Sequence, residues 1–325
     1  MKSFLFVLAL IYATPASAQS VPELIKHYSG RAEWDASKHT LTFASTGTIR
    51  FEKPSHKEAY WDVPKEVSRI VIGRDVRVTG AFHTRFDCTI AGEDRKTSVV
   101  FGTPEQRWAD NRGVKPFEYC QFQNRGGVLT VSNLTAINPF AYFIRGWGKV
   151  CHAKGCTFID NRGGWANHSD GFAGGHGSTI DGCHFATGDD AIKLYFDITV
   201  TNTTIEMIQN CVPFQFGWGT YQNSKSEISN VVITGTRGRS KTPPIFQWKE
   251  GSDRKTVRID GLKIDNPNAR LFDLNGKGRL DLEITGADIA VKDYGTAQFD
   301  GRRVICGTQE RLNRYRCGGD AKSGN

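Results

Sequence analysis

The sequence lacks the marks of several large classes of protein. Its 325 residues include only 2 methionines and no Cys-x-x-Cys pair, so no zinc site of the usual spacing is expected. The formal net charge is +8, but the Lys and Arg residues form no basic block and accompany no aromatic RNA-binding signature. This charge fits either a solubilising surface or attraction to an anionic polymer. We expect no nucleic-acid partner.

Long apolar segments are also missing once the first residues are passed. No later segment is long and apolar enough to cross a bilayer, so we expect no membrane partner. Residues 1–18 have the pattern of a secretory signal, with Lys2, an apolar run over residues 4–13 and a small-residue cleavage site at residues 16–18. The apolar run is about half the length of a membrane-spanning helix. The sequence predicts a secreted protein, extracellular or periplasmic, whose mature chain begins near Gln19.

The cysteines are numerous enough for disulfides. An exported chain with eight of them is able to form such bonds. Cys306 and Cys317 are a local pair that would close the C-terminal tail, and Cys88 with Cys120 is a candidate second pair. The remaining four lie in strand-like sequence and are equally suited to fill a core: Cys151, Cys156, Cys183 and Cys211.

Helical periodicity is nearly absent from the chain. One short helix is predicted at residues 22–28, where it could cap the end of an elongated β structure. From residue 41 onward the sequence consists of short alternating runs, such as residues 70–72, which are typical of β-strands. No linker or shift in composition divides residues 19–325, so we expect one domain with an irregular tail from about residue 308.

A turn residue followed by an alternating apolar triplet recurs seven times. The turn residues are Asn133, Gly155, Gly182, Asn202, Asn230, Gly261 and Gly286. Their spacing, 20 to 31 residues by these numbers, suits a solenoid in which each coil buries its inward side chains on its neighbours. A β-propeller or a β-sandwich would need a different strand spacing or hairpin turns. The sequence therefore predicts an all-β fold, a single-stranded right-handed parallel β-helix with a short N-terminal capping helix.

Three acidic residues, Asp170, Asp189 and Asp190, lie in apolar, β-prone sequence. An ionised carboxylate is costly to bury without partners. Asp170 and Asp190 each lie twelve residues before a turn residue, Gly182 and Asn202 respectively, so we expect them at the same place in successive coils. Because coils are about 4.8 Å apart, their carboxyl groups should stack. A bend before the next strand would let Asp189 reach the same face.

A patch of three carboxylates suits either a hard cation or acid–base catalysis. Calcium loops carry alternating acidic residues, a pattern that is missing here, so we expect no metal and no other cofactor. Glycoside hydrolysis needs one protonated carboxyl group for the leaving oxygen and one carboxylate that activates water. Crowded like charges raise the pKa of one carboxyl group and leave another ionised. The patch therefore favours a glycoside hydrolase.

Three motifs follow one another along the chain: Asp170-Gly171, then Asp-Asp-Ala-Ile-Lys-Leu-Tyr at residues 189–195, then Pro-Phe-Gln-Phe-Gly-Trp at residues 213–218. They resemble glycoside hydrolase family 49, which contains dextranases and isopullulanases and shares a clan with the polygalacturonases of family 28. The similarity extends over roughly residues 65–300.

The resemblance to family 49 carries expectations about mechanism. It implies a right-handed parallel β-helix that hydrolyses glycosidic bonds with inversion and without a metal. Asp189 matches the general acid of the family, and Asp170 and Asp190 match the residues that activate water. The implied substrate is an α-glucan such as dextran or pullulan.

Three further polar residues are expected in one column. Residues 191–194, 214–216 and 246–248 look like the same strand in three coils, which would place Lys193, Gln215 and Gln247 above one another on the outer face. There they could hydrogen-bond sugar hydroxyls or an acid group. An ordinary solvated face is the alternative.

Four more residues are candidates for substrate binding. Tyr195 and Trp218 could stack on a sugar ring, although an aromatic ladder inside the helix would use them equally well. His168 and His176 are candidates to tune the acids, the alternative being ordinary loop histidines.

The leading hypothesis is thus a secreted, inverting glycoside hydrolase that acts as a monomer on a polysaccharide, either an α-glucan or an anionic polymer. A polysaccharide lyase and a polygalacturonase-like pectin hydrolase are alternatives on the same fold. A non-catalytic carbohydrate-binding β-helix is the alternative from another class, but such a module has no need of three crowded carboxylates.

Overall fold

The computed structural model describes residues 20–50, 60–146, 148–235 and 244–299, and two further strands at residues 302–305 and 314–317. The predicted signal over residues 1–18 lies outside this part of the chain. No helix within the described residues has the length and apolar character needed to cross a membrane.

Short strands make up most of the described chain. The helical segments are α1 (Val21–His27), α2 (Trp108–Asn111) and the 3-10 turns η1 (Ala36–Lys38) and η2 (Pro116–Glu118). The strands are β1 (Ala32–Asp35), β2 (Thr40–Phe43), β3 (Gly47–Thr48), β4 (Trp61–Asp62), β5 (Arg69–Ile72), β6 (Arg77–Thr79), β7 (Phe82–Thr84), β8 (Cys88–Gly92), β9 (Val99–Phe101), β10 (Phe122–Asn124), β11 (Leu129–Ser132), β12 (Thr135–Ile137), β13 (Ile144–Arg145), β14 (Cys151–Lys154), β15 (Thr157–Ile159), β16 (Phe172–Ala173), β17 (Ser178–Asp181), β18 (His184–Ala186), β19 (Ile192–Lys193), β20 (Ile198–Glu206), β21 (Phe214–Trp218), β22 (Ser224–Thr234), β23 (Pro244–Glu250), β24 (Arg254–Leu274), β25 (Arg279–Thr285), β26 (Asp288–Phe299), β27 (Arg302–Ile305) and β28 (Arg314–Cys317).

Most strands pair in parallel with the strand one coil away, and the pairs form three ladders. The first ladder contains β2, β5, β8, β11, β14, β17, the first parts of β20, β22 and β24, and β25. The second contains β3, β6, β9, β12, β15, β18, the later parts of β20, β22 and β24, and the start of β26. The third contains β4, β7, β10, β13, β16, β19, β21, β23, the end of β24 and the rest of β26. The predicted parallel β-helix is confirmed.

The turn between the first and second ladders explains the repeat in the sequence. All seven predicted turn residues have a positive φ, between 49° and 72°. This left-handed conformation is costly for most residues but accessible to Gly and Asn, which have the smallest penalty there. Gly or Asn therefore recurs along the sequence because each coil makes the same sharp bend at this point.

Aromatic side chains fill the inside of the third ladder. Phe82, Phe122, Phe172, Phe214 and Phe246 are fully buried and lie in one column of the ladder, in which isoleucines occupy the two intervening coils. Phe82 and Phe122 stack with their ring centroids 6.4 Å apart, and Phe214 and Phe246 stack at 5.3 Å. Burying each such side chain stabilises the fold by roughly 1.5–3 kcal/mol. This core fixes the third ladder, whose outer face carries the acidic residues.

The N-terminal helix covers one end of the solenoid. Ser20 caps α1, since its hydroxyl accepts from the Glu23 N–H while the Glu23 carboxylate accepts from the Ser20 N–H. Val21 and Leu24 are buried against the core of the β-helix. The predicted capping helix is confirmed, and it begins and ends one residue earlier than expected.

The C-terminal strands reverse direction. β27 pairs antiparallel with β26, and β28 pairs antiparallel with β25. Residues beyond 317, which form the end of the predicted irregular tail, lie outside the described residues.

The structure corrects one disulfide prediction. Cys88 and Cys120 are free, buried thiols, because Cys88 opens β8 in the first ladder whereas Cys120 precedes β10 in the third. The pairing of Cys306 with Cys317 stays a prediction, since Cys306 lies outside the described residues. The other four cysteines are free and buried, as expected of core fillers: Cys151, Cys156, Cys183 and Cys211.

Candidate active site

The three acidic residues lie where two loops enter the third ladder. Asp170 ends the loop before β16, and Asp189 and Asp190 end the loop before β19. The Gly171 N–H donates to the Asp190 carbonyl (2.9 Å), and Phe172 pairs with Ile192. This register confirms that Asp170 and Asp190 hold the same place in successive coils.

Glycine at position 171 makes this close approach feasible. A Cβ at Gly171 would lie 2.3 Å from the carbonyl oxygen of Ala191 and 2.8 Å from the Phe185 ring, both far inside van der Waals contact. Any other residue would push the two coils apart. In the Asp-Gly sequence, Asp170 belongs to the acidic cluster and Gly171 allows the two coils to pack.

One lysine joins two of the acids. The three side chains offer carboxylate oxygens that all lie within 4.8 Å of one another. The Lys193 Nζ lies 2.5 Å from Oδ1 of Asp170 and 2.7 Å from Oδ2 of Asp190, and these three side chains are only 5–6% exposed. The ammonium group therefore supplies a positive charge between the two carboxylates, and among the described residues no other cation is paired with them.

Asp189 has a different environment. Its side chain is 17% exposed and is paired with neither lysine nor arginine in the described structure. Its Oδ1 accepts hydrogen bonds from the Asn210 amide (2.9 Å) and from the Asp190 N–H (3.1 Å). Oδ2 lies 3.8 Å from Nδ1 of His168. Asp189 is therefore the acid whose charge is least compensated.

The pKa shifts follow from these contacts. Burial, and then the charges of Asp170 and Asp190, raise the pKa of Asp189 well above its usual value. Burial raises the pKa of Asp170 to about 6, against the opposing effect of Lys193. Burial alone would lower the pKa of Lys193, but the two carboxylates outweigh it and raise that pKa well above the usual value. Lys193 stays charged while Asp189 retains a proton most readily.

His168 connects Asp189 to a second ion pair. Its Nε2 lies 3.0 Å from Oδ1 of Asp110, and Asp110 pairs through Oδ2 with Arg107 (2.5 Å). Because the Asp110 carboxylate can only accept, Nε2 carries the hydrogen and Nδ1 faces Asp189. The predicted role of His168 beside the acids is thus consistent with its position, whereas its effect on them stays a prediction.

The acids open into a cleft of about 830 Å³. Aromatic side chains form much of its wall: Phe117, Tyr142, Trp165, Tyr195, Phe196, Trp218 and Tyr221. Trp165 and Trp218 are 49% and 54% exposed, which is unusual for such large apolar side chains. Such faces are suited to stacking on sugar rings.

Several predicted binding residues line this cleft. They are His168, Lys193, Tyr195 and Trp218. The Trp218 Nε1–H donates to Oδ2 of Asp190 (3.3 Å), and Tyr195 stacks on Tyr221 with centroids 4.2 Å apart. Tyr195 thus belongs to the cleft wall rather than to an aromatic ladder inside the helix.

The lining of the cleft does not include the remaining predicted binding residues, Gln215, Gln247 and His176. Lys193, Gln215 and Gln247 do form the predicted column. However, Gln215 is fully buried, and its amide donates to Gln247 (2.9 Å) and accepts from the Gly217 N–H (3.0 Å). His176 contacts Asp197 and Gln222 instead.

A buried network beneath the acids was not anticipated from the sequence. Arg162 and Asp160 form an ion pair (2.8 Å) whose side chains are 1% and 0% exposed. Ser169 donates to Asp160 (2.5 Å) and accepts from the Gly188 N–H (2.8 Å), so it ties together the loops that carry Asp170 and Asp189. Ser169 is adjacent to Asp170, which is the only signal that the sequence offers.

Comparison of the sequence with protein families and with curated proteins finds no match. Among solved structures, the chain is similar to Dex49A from Penicillium minioluteum, a dextranase of glycoside hydrolase family 49, with 13% identity and a TM-score of 0.53. The alignment covers 78% of this chain and 55% of Dex49A, so the chain spans about half the length of that protein. An endo-xylogalacturonan hydrolase from Aspergillus tubingensis is similar with 15% identity and a TM-score of 0.45, over 80% of this chain and 87% of that one. The chain therefore shares its parallel β-helix with a member of the family that its acidic motifs resemble.

Proposed function

We propose that this protein is a secreted glycoside hydrolase that cleaves a polysaccharide with inversion and without a metal. The observation that carries the proposal is the grouping of Asp170, Asp189 and Asp190 within 4.8 Å around one lysine, in a cleft walled by aromatic side chains.

Asp189 is the proposed general acid. A general acid must hold its proton near neutral pH, and burial beside two other carboxylates raises the pKa of Asp189. The Asn210 amide fixes the carboxyl group toward the cleft. In the proposed reaction Asp189 protonates the oxygen of the leaving sugar.

Asp170 and Asp190 are the proposed groups that activate water. Both bind the Lys193 ammonium, and its charge opposes the rise that burial causes in the pKa of Asp170. A water held between them would lose a proton to one carboxylate as it attacks the anomeric carbon. Inverting enzymes usually hold acid and base about 6.5–9.5 Å apart, and this closer set would require the water to approach from one side of the cluster.

The cleft supports a polysaccharide as the substrate. Trp165, Trp218 and Tyr221 expose aromatic faces on which sugar rings can stack. The motif resemblance to family 49 favours an α-glucan such as dextran or pullulan, whereas Arg107 and Arg145 in the lining would also suit an anionic polymer.

Release of reducing ends tests the proposal. The purified protein is incubated with dextran, pullulan, polygalacturonate and a sulfated polysaccharide, and the Asp189→Asn variant serves as the negative control. Asp265→Asn is the matched control, because Asp265 is an exposed carboxylate on β24 outside the cleft. We expect the wild type and Asp265→Asn to cleave at least one polymer and Asp189→Asn to cleave none.

Other outcomes point to the alternatives. An unsaturated product that absorbs in the ultraviolet would identify a lyase and refute hydrolysis. Binding without any cleavage would favour the carbohydrate-binding β-helix. Proton NMR of the first product decides the stereochemistry, since retention of the anomeric configuration would make one carboxylate a nucleophile.

Secretion rests on residues 1–18 and has its own test. Their charged start, apolar run and small-residue end are typical of a signal that is removed on export. We expect protein recovered outside the cytoplasm to begin near Gln19. Recovery of the intact N-terminus from the cytoplasm alone would refute export.

A further inference from the structure

A second cavity of about 390 Å³ opens on the same face of the β-helix, toward its N-terminal end. Its lining comprises Tyr60, Glu118, Tyr119 and Arg125. We propose that this cavity binds a sugar ring of the substrate several units away from the bond that is cleaved. The substrate would then be a long polymer that lies along the third ladder. The inference rests on the proposed function for the identity of that polymer.

One loop forms a wall of both cavities. Phe117 lines the catalytic cleft, and the next two residues, Glu118 and Tyr119, line the second cavity. Arg145, which also lines the cleft, donates from Nη1 to the Phe117 carbonyl (2.9 Å) and lies 4.7 Å from the centre of its ring. The two cavities are therefore neighbours along one surface, and a chain leaving the cleft past Phe117 reaches the second cavity.

The ladder gives the distance between them. Tyr60 directly precedes β4, and the third ladder runs from β4 through β7, β10, β13 and β16 to β19, which follows Asp190. These are five coil steps, or about 24 Å at 4.8 Å per coil. Tyr119 precedes β10, which is three steps or about 14 Å from β19. A polymer must be several sugar units long to reach from the acids to this cavity.

The chemistry of the cavity suits a sugar. The rings of Tyr60 and Tyr119 lie 6.2 Å apart at 56° to each other, and both are partly exposed. Tyr60 stacks on the buried His83 (3.6 Å), which holds its ring in place. Arg125 lies 5.6 Å from the Tyr60 ring. Partly exposed tyrosine rings beside one acid and one base are able to pack against a sugar and to hydrogen-bond its hydroxyls.

Binding is measured first, independently of cleavage. Asp189→Asn protein is run through native gels that contain dextran, pullulan or polygalacturonate, and the retardation gives a dissociation constant for each polymer. We expect addition of Tyr60→Ala to weaken binding about 3- to 10-fold, the usual contribution of one aromatic stack. Tyr60→Phe keeps the ring and should retain most of the affinity. Phe86→Ala removes an exposed aromatic outside both cavities and should change nothing.

Cleavage provides the second measurement. For any polymer that the wild type hydrolyses, we expect Tyr60→Ala to lower kcat/KM on the polymer about 3- to 10-fold more than on the shortest oligosaccharide cleaved. An equal loss on both substrates, unchanged binding in Tyr60→Ala, or no binding of any polymer would overturn the inference. Binding that depends on Tyr60 without any cleavage would refute the proposed hydrolase and leave this site standing.

Discussion

Two buried ion clusters lie next to each other in this protein, joined through Ser169, and they differ in their balance of charge. Asp160 and Arg162 form a pair with one acid and one base, almost without exposure. The candidate catalytic cluster has three acids and one cation, because Lys193 pairs with Asp170 and Asp190 whereas Asp189 has no lysine or arginine partner among the described residues. Burial acts to raise the pKa of Asp160, yet the Arg162 hydrogen bonds outweigh it and hold that pKa below its usual value. In the unbalanced cluster the pKa values of Asp189 and Asp170 are raised.

The difference shows which buried charges indicate chemistry. A balanced pair satisfies its own charges and has no proton to exchange near neutral pH. An excess of carboxylates leaves at least one of them protonated at the pH where another is ionised, which is the state that acid–base catalysis needs. Burial is common to both clusters, so the excess of acid, together with access to the cleft, distinguishes the candidate site from the structural pair.

Asp189→Asn should have the largest effect on activity in the unbalanced cluster. Asparagine keeps the shape of the side chain but cannot protonate the leaving oxygen, so we expect kcat to fall by about 10²- to 10⁴-fold. Removing one of three crowded carboxylates also relieves repulsion, so the melting temperature should stay unchanged or rise. Steady-state kinetics and thermal unfolding measure the two quantities, with Asp265→Asn as control. Activity close to that of wild type would refute the role of Asp189.

Arg162→Met should have the largest effect on stability, in the balanced pair. It leaves the Asp160 carboxylate buried without its cation, and breaking a buried pair in this way costs about 3–5 kcal/mol of the free energy of unfolding. Urea unfolding measures the loss. The double variant Asp160→Leu/Arg162→Met removes both charges and should recover part of the stability. A double variant less stable than Arg162→Met would show that the pair contributes more than its charge balance.

The two clusters should also respond to pH in opposite directions. A raised folded pKa at Asp170 favours folding when the group is protonated, so its contribution to stability is lost as the pH rises toward about 6. A lowered folded pKa at Asp160 contributes stability at neutral pH that is lost as the pH falls through the usual range of Asp. Unfolding in urea from pH 3 to 8 should show the first effect diminished in Asp170→Asn and the second diminished in Asp160→Asn. The same sign for both variants would contradict the comparison.

Activity should follow the ionisation of the base. As a proposed base, Asp170 would have to be ionised to take a proton from water, so kcat should decrease as the pH falls below about 6. Lys193→Met removes the cation that favours ionisation, so the pKa of Asp170 should rise and the acidic limb of the profile should move to higher pH. The pH dependence of kcat for the two proteins measures this shift. An unmoved acidic limb in Lys193→Met would assign the limb to another group.

The repeating parts of the chain could be predicted from the sequence, and the irregular parts could not. The Gly and Asn turns are visible because one backbone bend recurs in each coil, and counting from Gly182 and Asn202 aligned Asp170 with Asp190. The Asp160–Arg162 pair and the exposed Trp165 lie in the connection between the second and third ladders, whose length and sequence differ from coil to coil, so no period reveals them. Trp165 reaches the cleft only through the conformation of this connection, which the sequence pattern does not predict.

The column of polar side chains shows that a correct strand register does not predict which side chains are exposed to the cleft. Lys193, Gln215 and Gln247 follow one another as expected. The register of β21 and β23 then shifts after Gln215, and the two glutamine amides bond to each other. Alternation along a strand gives the side of the sheet on which a residue lies, but not what covers that side.

His168 and His176 allow the smallest and most specific test. Both are loop histidines with similar exposure, 30% and 37% of the side chain, but only His168 lies beside Asp189 and lines the cleft. Asp110 holds the His168 ring so that Nδ1 faces Asp189. Because His168→Asn removes the nitrogen that orients the proposed acid, we expect kcat to fall about 10-fold with little change in KM. His176→Asn removes contacts to Asp197 and Gln222 outside the lining and should leave both constants unchanged. Equal losses in the two variants would mean that His168 acts only through the packing of its loop.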